Sequence, residues 1–173
     1  MKFVVLISPR DFSDETISMI KLLFDRWGVR YDIASYTKGE CVGSHGAVYK
    51  PDINAGKIST SDYDGIILID GEGINSYKLH EFRPLLDLLS LFDDKKKRIC
   101  AINNAIKVVA KANIIKGKRI STPRDEEVVR LVTLFRGLPS ENQIEIVDNL
   151  ITIKDHRNLE ESIGSFLDYI KAR

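Results

Sequence analysis

Two features of the sequence predict a three-layer α/β/α sandwich with a mainly parallel sheet. Short apolar runs rich in β-branched residues alternate with segments of helical periodicity, a pattern typical of parallel sheets covered by helices on both faces. The runs are apolar at consecutive positions, as in strands buried on both faces. The 173 residues, of which 43% are hydrophobic, suffice for one core, so residues 1–173 are interpreted as a single domain.

Four apolar runs are predicted as central strands, and a later pair as two strands joined by a turn. The central strands are Phe3–Ser8, Arg30–Ser35, Ile66–Ile69 and Arg98–Ile102. The later pair, Ile144–Val147 and Leu150–Ile153, flanks the turn residues Asp148 and Asn149. A glycine-rich segment, Lys38–Gly46, followed by Ala47–Pro51, also indicates a hairpin.

Helices are predicted where apolar residues recur at helical spacing. In the first of them, Ile17, Ile20 and Leu23 share one face, and Gly28 ends the helix. Residues 11–13 are capping candidates, and the acidic residues after them suit a first helical turn. The predicted helices are Asp14–Trp27, Leu79–Phe92, Ala105–Asn113, Asp125–Phe135 and Leu159–Lys171.

The composition excludes several functional classes. Lys and Arg number 26 against 25 Asp and Glu, a net charge of +1, which argues against a general nucleic-acid or polybasic membrane binder. Two cysteines and three widely separated histidines give no disulfide framework and no metal spacing, so neither metal nor cofactor is expected. No apolar run approaches the length of a membrane span, and the N-terminus lacks the pattern of a signal peptide. A cytoplasmic protein is expected.

Five segments, taken in order, resemble motifs of a known superfamily. They are Lys38–Gly46, Asp62–Leu68, Ile99–Ala105, Ala112–Lys118 and Val147–Thr152. The first is similar to a G-x-V-x-G-x-H-G hairpin, and the last to a V-D-G-N-L-I-T-S turn. No single segment is specific, but their order and spacing identify the chain as a member of the PfpI/DJ-1 superfamily, related to class I glutamine amidotransferases. The resemblance runs nearly end to end and implies a flavodoxin-like sheet.

The resemblance also implies where reactive residues would lie, and this sequence departs from the pattern there. Enzymes of the superfamily carry a cysteine at a tight strand-to-helix turn, a neighbouring histidine, and a glutamate from the first loop. The corresponding positions here are Asn103, Asn104 and Ser13, although a small shift in alignment would bring Glu15 to the carboxylate position. An amide cannot act as a thiolate does, so no catalytic residue is expected.

Two interpretations of Asn103 and Asn104 stay open. They form a polar floor that binds a ligand, or Asn is present because it tolerates the left-handed backbone of a strained turn. The second interpretation predicts a positive φ at Asn103. The family's Pro-Gly-Gly loop corresponds to Ile69–Gly71, where Asp70 places a carboxylate that repels anions.

The candidate ligand-binding residues lie after neighbouring strands. They are Asp70, Gly71, Glu72 and Asn103, which would converge where α/β sheets bind ligands. Asp70 is equally explained as a turn-capping residue. The other reactive side chains are interpreted as structural: Cys100 as a buried strand residue, Cys41 and His45 as hairpin residues, His80 as an exposed residue at a helix start and His156 as a loop residue.

Three functional hypotheses follow. The favoured one is a pseudoenzyme, a non-catalytic binding or assembly protein that lacks the Cys-His-Glu machinery. The alternative is an intracellular protease, amidase or glyoxalase/deglycase-type hydrolase like its relatives, using Glu15 and an unidentified nucleophile. The third is a regulator acting through protein contacts. The resemblance further implies a homo-oligomer, a dimer through residues 41–49 and 14–22, with an unknown small-molecule ligand.

Overall fold

The computed structural model describes residues 1–172 and contains eleven strands and six α-helices in that range. The strands are β1 (Lys2–Leu6), β2 (Arg30–Ser35), β3 (Cys41–Val42), β4 (Val48–Tyr49), β5 (Ile53–Asn54), β6 (Gly65–Leu68), β7 (Arg98–Ile102), β8 (Arg119–Ser121), β9 (Leu138–Ser140), β10 (Ile144–Val147) and β11 (Leu150–Ile153). The helices are α1 (Asp14–Trp27), α2 (Gly73–Ser76), α3 (Arg83–Asp94), α4 (Ile106–Lys111), α5 (Glu126–Leu134) and α6 (Leu159–Lys171).

Seven strands form the main sheet in the order β10-β11-β7-β6-β1-β2-β5. Every neighbouring pair is parallel except β10 with β11, which are antiparallel. The predicted α/β fold with a mainly parallel sheet is therefore confirmed. The predicted glycine-rich hairpin is also present, as β3 paired antiparallel with β4.

The strands are buried on both faces, as their continuous apolar runs predict. In β1, Phe3 and Val5 contact the core beneath α1 and α6, whereas Val4 and Leu6 contact the core beneath α3, α4 and α5. All four side chains are almost inaccessible to solvent. The helices thus form the two outer layers of the predicted three-layer sandwich.

The predicted helix over Leu79–Phe92 is wrong at its start. Residues Leu79–Glu81 form a separate 3-10 turn, and α3 begins at Arg83. Pro84 lies in the first turn of α3, where its missing N–H is tolerated, and Phe82 before it is extended. The separate turn carries His80 inward, so the expectation that His80 is exposed is also wrong.

Helix α4 is shorter than the predicted Ala105–Asn113, because a 3-10 turn over Asn103–Ala105 precedes it. Three short strands, β5, β8 and β9, were not predicted. Each has only two or three residues, too few to show a periodicity, and β9 contains Pro139. They pair because the tertiary fold brings each of them alongside a neighbouring strand. No helix within residues 1–172 is both long and apolar enough to cross a bilayer.

Candidate functional site

The candidate residues meet at one edge of the sheet because β1, β6 and β7 are parallel neighbours. The loops that follow these strands border an open cleft of about 400 Å³. Its lining is entirely polar or glycine: Ser13, Glu15, Ser44, His45, Asp70, Gly71, Glu72, Asn75, Asn103, Asn104, Asp125 and His156. The structure therefore brings together every site residue that the sequence indicates, and adds His156, Ser44, His45, Asn75 and Asp125.

Asn103 forms the turn between β7 and α4. Its φ of 53° lies in the left-handed region, which confirms the prediction of a strained turn at this position. Among residues 1–172, no hydrogen-bond partner is found for its side-chain amide, which lines the cleft. The Asn103 amide is thus available to a bound molecule.

Asn104, in contrast, is fully engaged with the loop after β6. Its Oδ1 accepts a hydrogen bond from the Gly71 N–H (3.1 Å), and its Nδ2 donates to the Gly71 carbonyl (2.8 Å). This two-point contact holds the loop against the start of α4. It also occupies the Gly71 N–H, which therefore cannot stabilise a developing negative charge in the cleft.

The loop after β6 packs directly on the loop after β1. The Ser13 N–H donates to the Asp70 carbonyl (2.8 Å), and the Gly73 N–H donates to the Asp11 carbonyl (3.0 Å). Gly71 has a φ of 137°, and a Cβ added there would lie 2.4 Å from the Asp11 carbonyl oxygen. Glycine is therefore required at position 71 for both its conformation and its close approach.

Asp70 is an internal residue rather than a turn cap. Its side chain is 3% exposed. Oδ1 accepts a hydrogen bond from Thr16 Oγ1 (2.7 Å), and Oδ2 lies 2.7 Å from His156 Nε2. The interpretation of Asp70 as a turn-capping residue is therefore wrong: the carboxylate joins α1 to the loop between β11 and α6.

Of the five site residues that the sequence analysis missed, His156 makes the most contacts with the others, although it was interpreted as a loop residue without a role in the site. Its Nε2 contacts Asp70 and lies 3.0 Å from Thr16 Oγ1, while Nδ1 lies 3.2 Å from Glu15 Oε2. The hydrogen bond to Asp70 raises the pKa of His156, with smaller contributions from the charges of Asp70, Glu15 and Asp155, and burial opposes the increase. No signal in the sequence links His156 to Thr16, because 140 residues separate them.

Ser13 and Glu15 both reach the cleft, but they have different roles. Ser13 is the N-cap of α1, since its Oγ accepts a hydrogen bond from the Thr16 N–H (3.2 Å). This confirms the sequence-based expectation of a capping residue there. Glu15 extends along the rim and contacts His156, and its side chain is 63% exposed.

Neither cysteine lies in the cleft. Cys41 and Cys100 are both buried, within β3 and β7. Burial raises the pKa of Cys100 to about 12 and raises the pKa of Cys41 as well, although the neighbouring Ser35 side chain partly offsets the latter. Because the thiolate is the nucleophile, both thiols are inert in this setting.

A second polar cluster lies behind the cleft. The ammonium of Lys107, whose side chain is 1% exposed, donates to Asn75 Oδ1 and lies 3.3 Å from Glu127 Oε2. His80 Nε2 is 3.9 Å from the same carboxylate group. Burial and the Lys107 charge lower the pKa of His80, with Glu81 and Glu127 opposing. The cluster joins α2, α4 and α5, and so holds the cleft wall that carries Asn75.

The charge of the lining residues is mainly negative. Four carboxylates line the cleft, those of Glu15, Asp70, Glu72 and Asp125, and no Lys or Arg is among the lining residues. Within residues 1–172, no group of three or more His, Cys, Asp or Glu side chains is placed to hold a metal ion. Because carboxylates outnumber cationic side chains in its lining, the cleft differs from an anion-binding site, which would present cations or free N–H groups.

The fold and the cleft together define a three-layer α/β protein with a polar site at the carboxyl edge of a parallel sheet. This chain belongs to the DJ-1/PfpI family, whose model matches residues 1–153. Among curated proteins, an uncharacterized protein of Methanocaldococcus jannaschii is 29% identical over 153 residues, covering 88% of this chain and 74% of the relative.

Solved structures of the family share the fold. A ThiJ/PfpI domain protein from Brachyspira murdochii superposes with a TM-score of 0.92 at 17% identity, covering 99% of this chain and 97% of that one. DJ-1beta of Drosophila melanogaster superposes with a TM-score of 0.80 at 19% identity, covering 95% and 87%. At these identities the likeness shows the fold alone.

Proposed function

We propose that this DJ-1/PfpI protein is a non-catalytic binding protein that holds a small polar molecule over Asn103. The observation that carries the proposal is the strand-to-helix turn at the base of the cleft. There the resemblance to the family implies a cysteine, and Asn103 offers a free amide instead. An amide binds through hydrogen bonds and cannot attack a carbonyl as a thiolate does.

The polar lining supports a hydrophilic ligand. Cofactor and drug-like sites are mostly apolar with a few polar groups, whereas this cleft has only polar and glycine residues. Asn103 supplies a donor and an acceptor. Glu72 supplies a carboxylate acceptor, whose one side-chain partner in the described part of the chain is Asn75 Nδ2, at 3.4 Å. The excess of carboxylates favours neutral or positively charged molecules over anions.

The alternative is a hydrolase that uses a hydroxyl, an imidazole and Glu15. The distances resemble such a triad, since Thr16 Oγ1 is 3.0 Å from His156 Nε2 and Nδ1 is 3.2 Å from Glu15. However, Thr16 is fully buried and donates to Asp70. His156 Nε2 also faces Asp70, so the nitrogen that would accept the hydroxyl proton carries a proton already. This arrangement argues against a general base.

Cysteine substitution tests the non-catalytic assignment. We expect no turnover of peptide, amide or α-oxoaldehyde substrates that depends on Cys41 or Cys100, because both thiols are buried with raised pKa values. Steady-state assays of the wild type, Cys41→Ala and Cys100→Ala measure this directly. Rates no higher than background in all three support the proposal, whereas an equal and robust turnover in all three favours the alternative hydrolase. If Cys100→Ala, still folded by circular dichroism, abolished a robust turnover, the proposal would be wrong.

Binding is tested by fragment screening with protein NMR. Polar fragments bearing hydroxyl, amide or amine groups are expected to shift the side-chain amide signals of Asn103 and Asn75, which line the cleft. The side-chain amide of Asn113, on an exposed turn outside the cleft, is the internal control. Shifts clustered away from Asn103, or equal shifts at Asn113, contradict a binding cleft.

The oligomer implied by the family is also a proposal for this chain. Exposed apolar side chains lie on the two elements concerned, Leu22 on α1 and Val48 on β4, at 49% and 54% exposure. We expect a dimer in sedimentation velocity, with Leu22→Glu or Val48→Glu shifting it toward monomer because each places a charge in the apolar contact. Leu134→Glu is the control, because Leu134 lies on α5, outside the proposed contact, and is 63% exposed. A wild-type monomer at high concentration contradicts the dimer.

A further inference from the structure

His156 joins three parts of the chain at the rim of the cleft. It lies in the loop between β11 and α6, and its ring contacts Asp70 after β6 and Glu15 in the first turn of α1. The ring also lies near two hydroxyls of the same helix start, 3.0 Å from Thr16 Oγ1 and 3.5 Å from Ser13 Oγ. The side chain of Asp70 is almost fully buried, whereas the side chain of Glu15 is largely exposed.

Both ring nitrogens face carboxylate oxygens, and this arrangement requires two N–H donors. Only the imidazolium form has them. The neutral ring keeps one proton. The buried Asp70 carboxylate, for which the Thr16 hydroxyl is the only other donor within residues 1–172, retains that proton at Nε2. Nδ1 then presents a lone pair to Glu15 Oε2 at 3.2 Å, which is repulsive.

Among residues 1–172, the further charge that acts on the His156 ring is that of Asp155, in the same loop. Asp155 adds negative charge, while Arg157 pairs with Asp155 at 3.1 Å. Asp155 also accepts a hydrogen bond from Gln143 Nε2 (2.8 Å), and its hydrogen bonds with Gln143 and Arg157 lower its pKa to about 2. This second anchor of the loop keeps its charge near neutral pH, so His156 is the contact that changes.

We propose that His156 is a pH-sensitive latch on the cleft: in its protonated form it ties Glu15 to the β11–α6 loop, and loss of the Nδ1 proton releases Glu15 from the rim while the bond to Asp70 persists. The latch goes beyond the proposed binding function, because it acts in the protein without a ligand. Its consequence is that Glu15 is held at the rim in the more acidic range and is free to leave it in the more alkaline range.

The sign of the effect follows from the direction of the shift. Because the pKa of His156 is raised above 6.5 in the folded protein, the imidazolium stabilises the fold fully below 6.5. That contribution is lost as the pH rises through the raised value. The free energies of unfolding of the wild type and of His156→Gln are therefore expected to converge as the pH increases. If the difference between the two free energies stayed the same at every pH, the latch would be contradicted.

NMR of the ligand-free full chain tests the latch atom by atom. Long-range ¹H–¹⁵N spectra of the His156 ring are expected to give a titration midpoint above 6.5 and, at alkaline pH, the tautomer protonated at Nε2. The Glu15 carboxyl ¹³C signal is expected to change with the same midpoint. A midpoint at or below 6.5, the Nδ1–H tautomer, or a Glu15 signal that does not follow His156 each overturns the proposal.

Glu15→Gln is the matched variant, since its amide can donate to the neutral Nδ1. The substitution is expected to lower the His156 midpoint by about half a pH unit, the scale of an exposed ion pair. His45, whose ring lies 3.7 Å from Asp14 rather than beside Glu15, is the control: its ring ¹⁵N signals at a fixed pH report any effect of the substitution elsewhere in the cleft. An unaltered His156 midpoint in Glu15→Gln contradicts the latch even if His156→Gln fails to fold.

Discussion

Replacing Asn103 by cysteine is expected to produce a thiol that iodoacetamide alkylates at least about 100-fold faster than Cys100. A thiol of ordinary pKa, about 8.5, carries about 3,000-fold more thiolate near neutral pH than a thiol of pKa about 12 such as Cys100. The lower nucleophilicity of a less basic thiolate offsets part of this difference. Cys100 is also 1% exposed, whereas Asn103 lines an open cleft. Mass spectrometry of the alkylated peptides gives both rates in one sample.

Asn113→Cys is the matched control for this experiment. Asn113 is also an asparagine with a left-handed backbone, φ 61°, but it is exposed and lies outside the cleft. We expect the two variants to react within about tenfold of each other, because the carboxylates of the cleft offset the helix start that would lower the thiol pKa. A much faster reaction at position 103 would mean that the cleft still activates a nucleophile, which contradicts the non-catalytic proposal. No reaction would mean that the turn is closed to solvent.

Gly71→Ala is expected to lower the free energy of unfolding by about 3–5 kcal/mol, combining left-handed strain with a steric clash. The added Cβ would lie 2.4 Å from the Asp11 carbonyl oxygen and 2.9 Å from the Ser13 nitrogen. Both are backbone atoms, so the two loops must separate to relieve the overlap. Their separation also breaks the Ser13-to-Asp70 backbone hydrogen bond. Chemical denaturation measures the loss.

Gly28→Ala separates the conformational cost from the clash. Gly28 ends α1 with a φ of 68°, and a Cβ added there meets no atom within 4 Å. Its substitution is expected to cost only about 1 kcal/mol. If the two variants lost equal stability, the contact between the loops after β1 and β6 would contribute nothing. If Gly71→Ala loses more stability than Gly28→Ala, we also expect the hydrogen bonds between Gly71 and the Asn104 side chain to be disturbed. NMR would show this as shifts of the Asn104 side-chain amide signals.

Much of the fold is determined locally, and the sequence predicts that part well. Continuous apolar runs such as Phe3–Ser8 suit a strand only when both of its faces are covered, so they predict a parallel sheet between helices. Capping and glycine signals place both ends of α1, at Ser13 and Gly28. The positive φ of Asn103 was likewise predicted, because a sharp strand-to-helix turn needs a residue that tolerates it.

Local signals were weaker where short segments depend on distant partners. The 3-10 turn that carries His80 forms because Pro84 begins a new helix and because Leu79 is buried in the core beneath α3, α4 and α5. The periodicity of Leu79–Phe92 alone does not reveal this break. Strands β5, β8 and β9 have two or three residues each, too few for a pattern. Their backbone groups pair only because the rest of the fold brings them alongside a neighbour.

The residues that follow the central strands could be predicted from their order in the chain, and parallel pairing requires Asp70, Gly71, Glu72 and Asn103 to share one edge of the sheet. The role of each of them depends on how the layers pack. Asp70 is turned inward because Thr16 and His156 satisfy its oxygens, while Asn103 keeps a free amide. His156 reaches the site from 86 residues beyond Asp70. Hydrogen bonding and burial depend on distances between side chains, and those distances are set only when the layers pack.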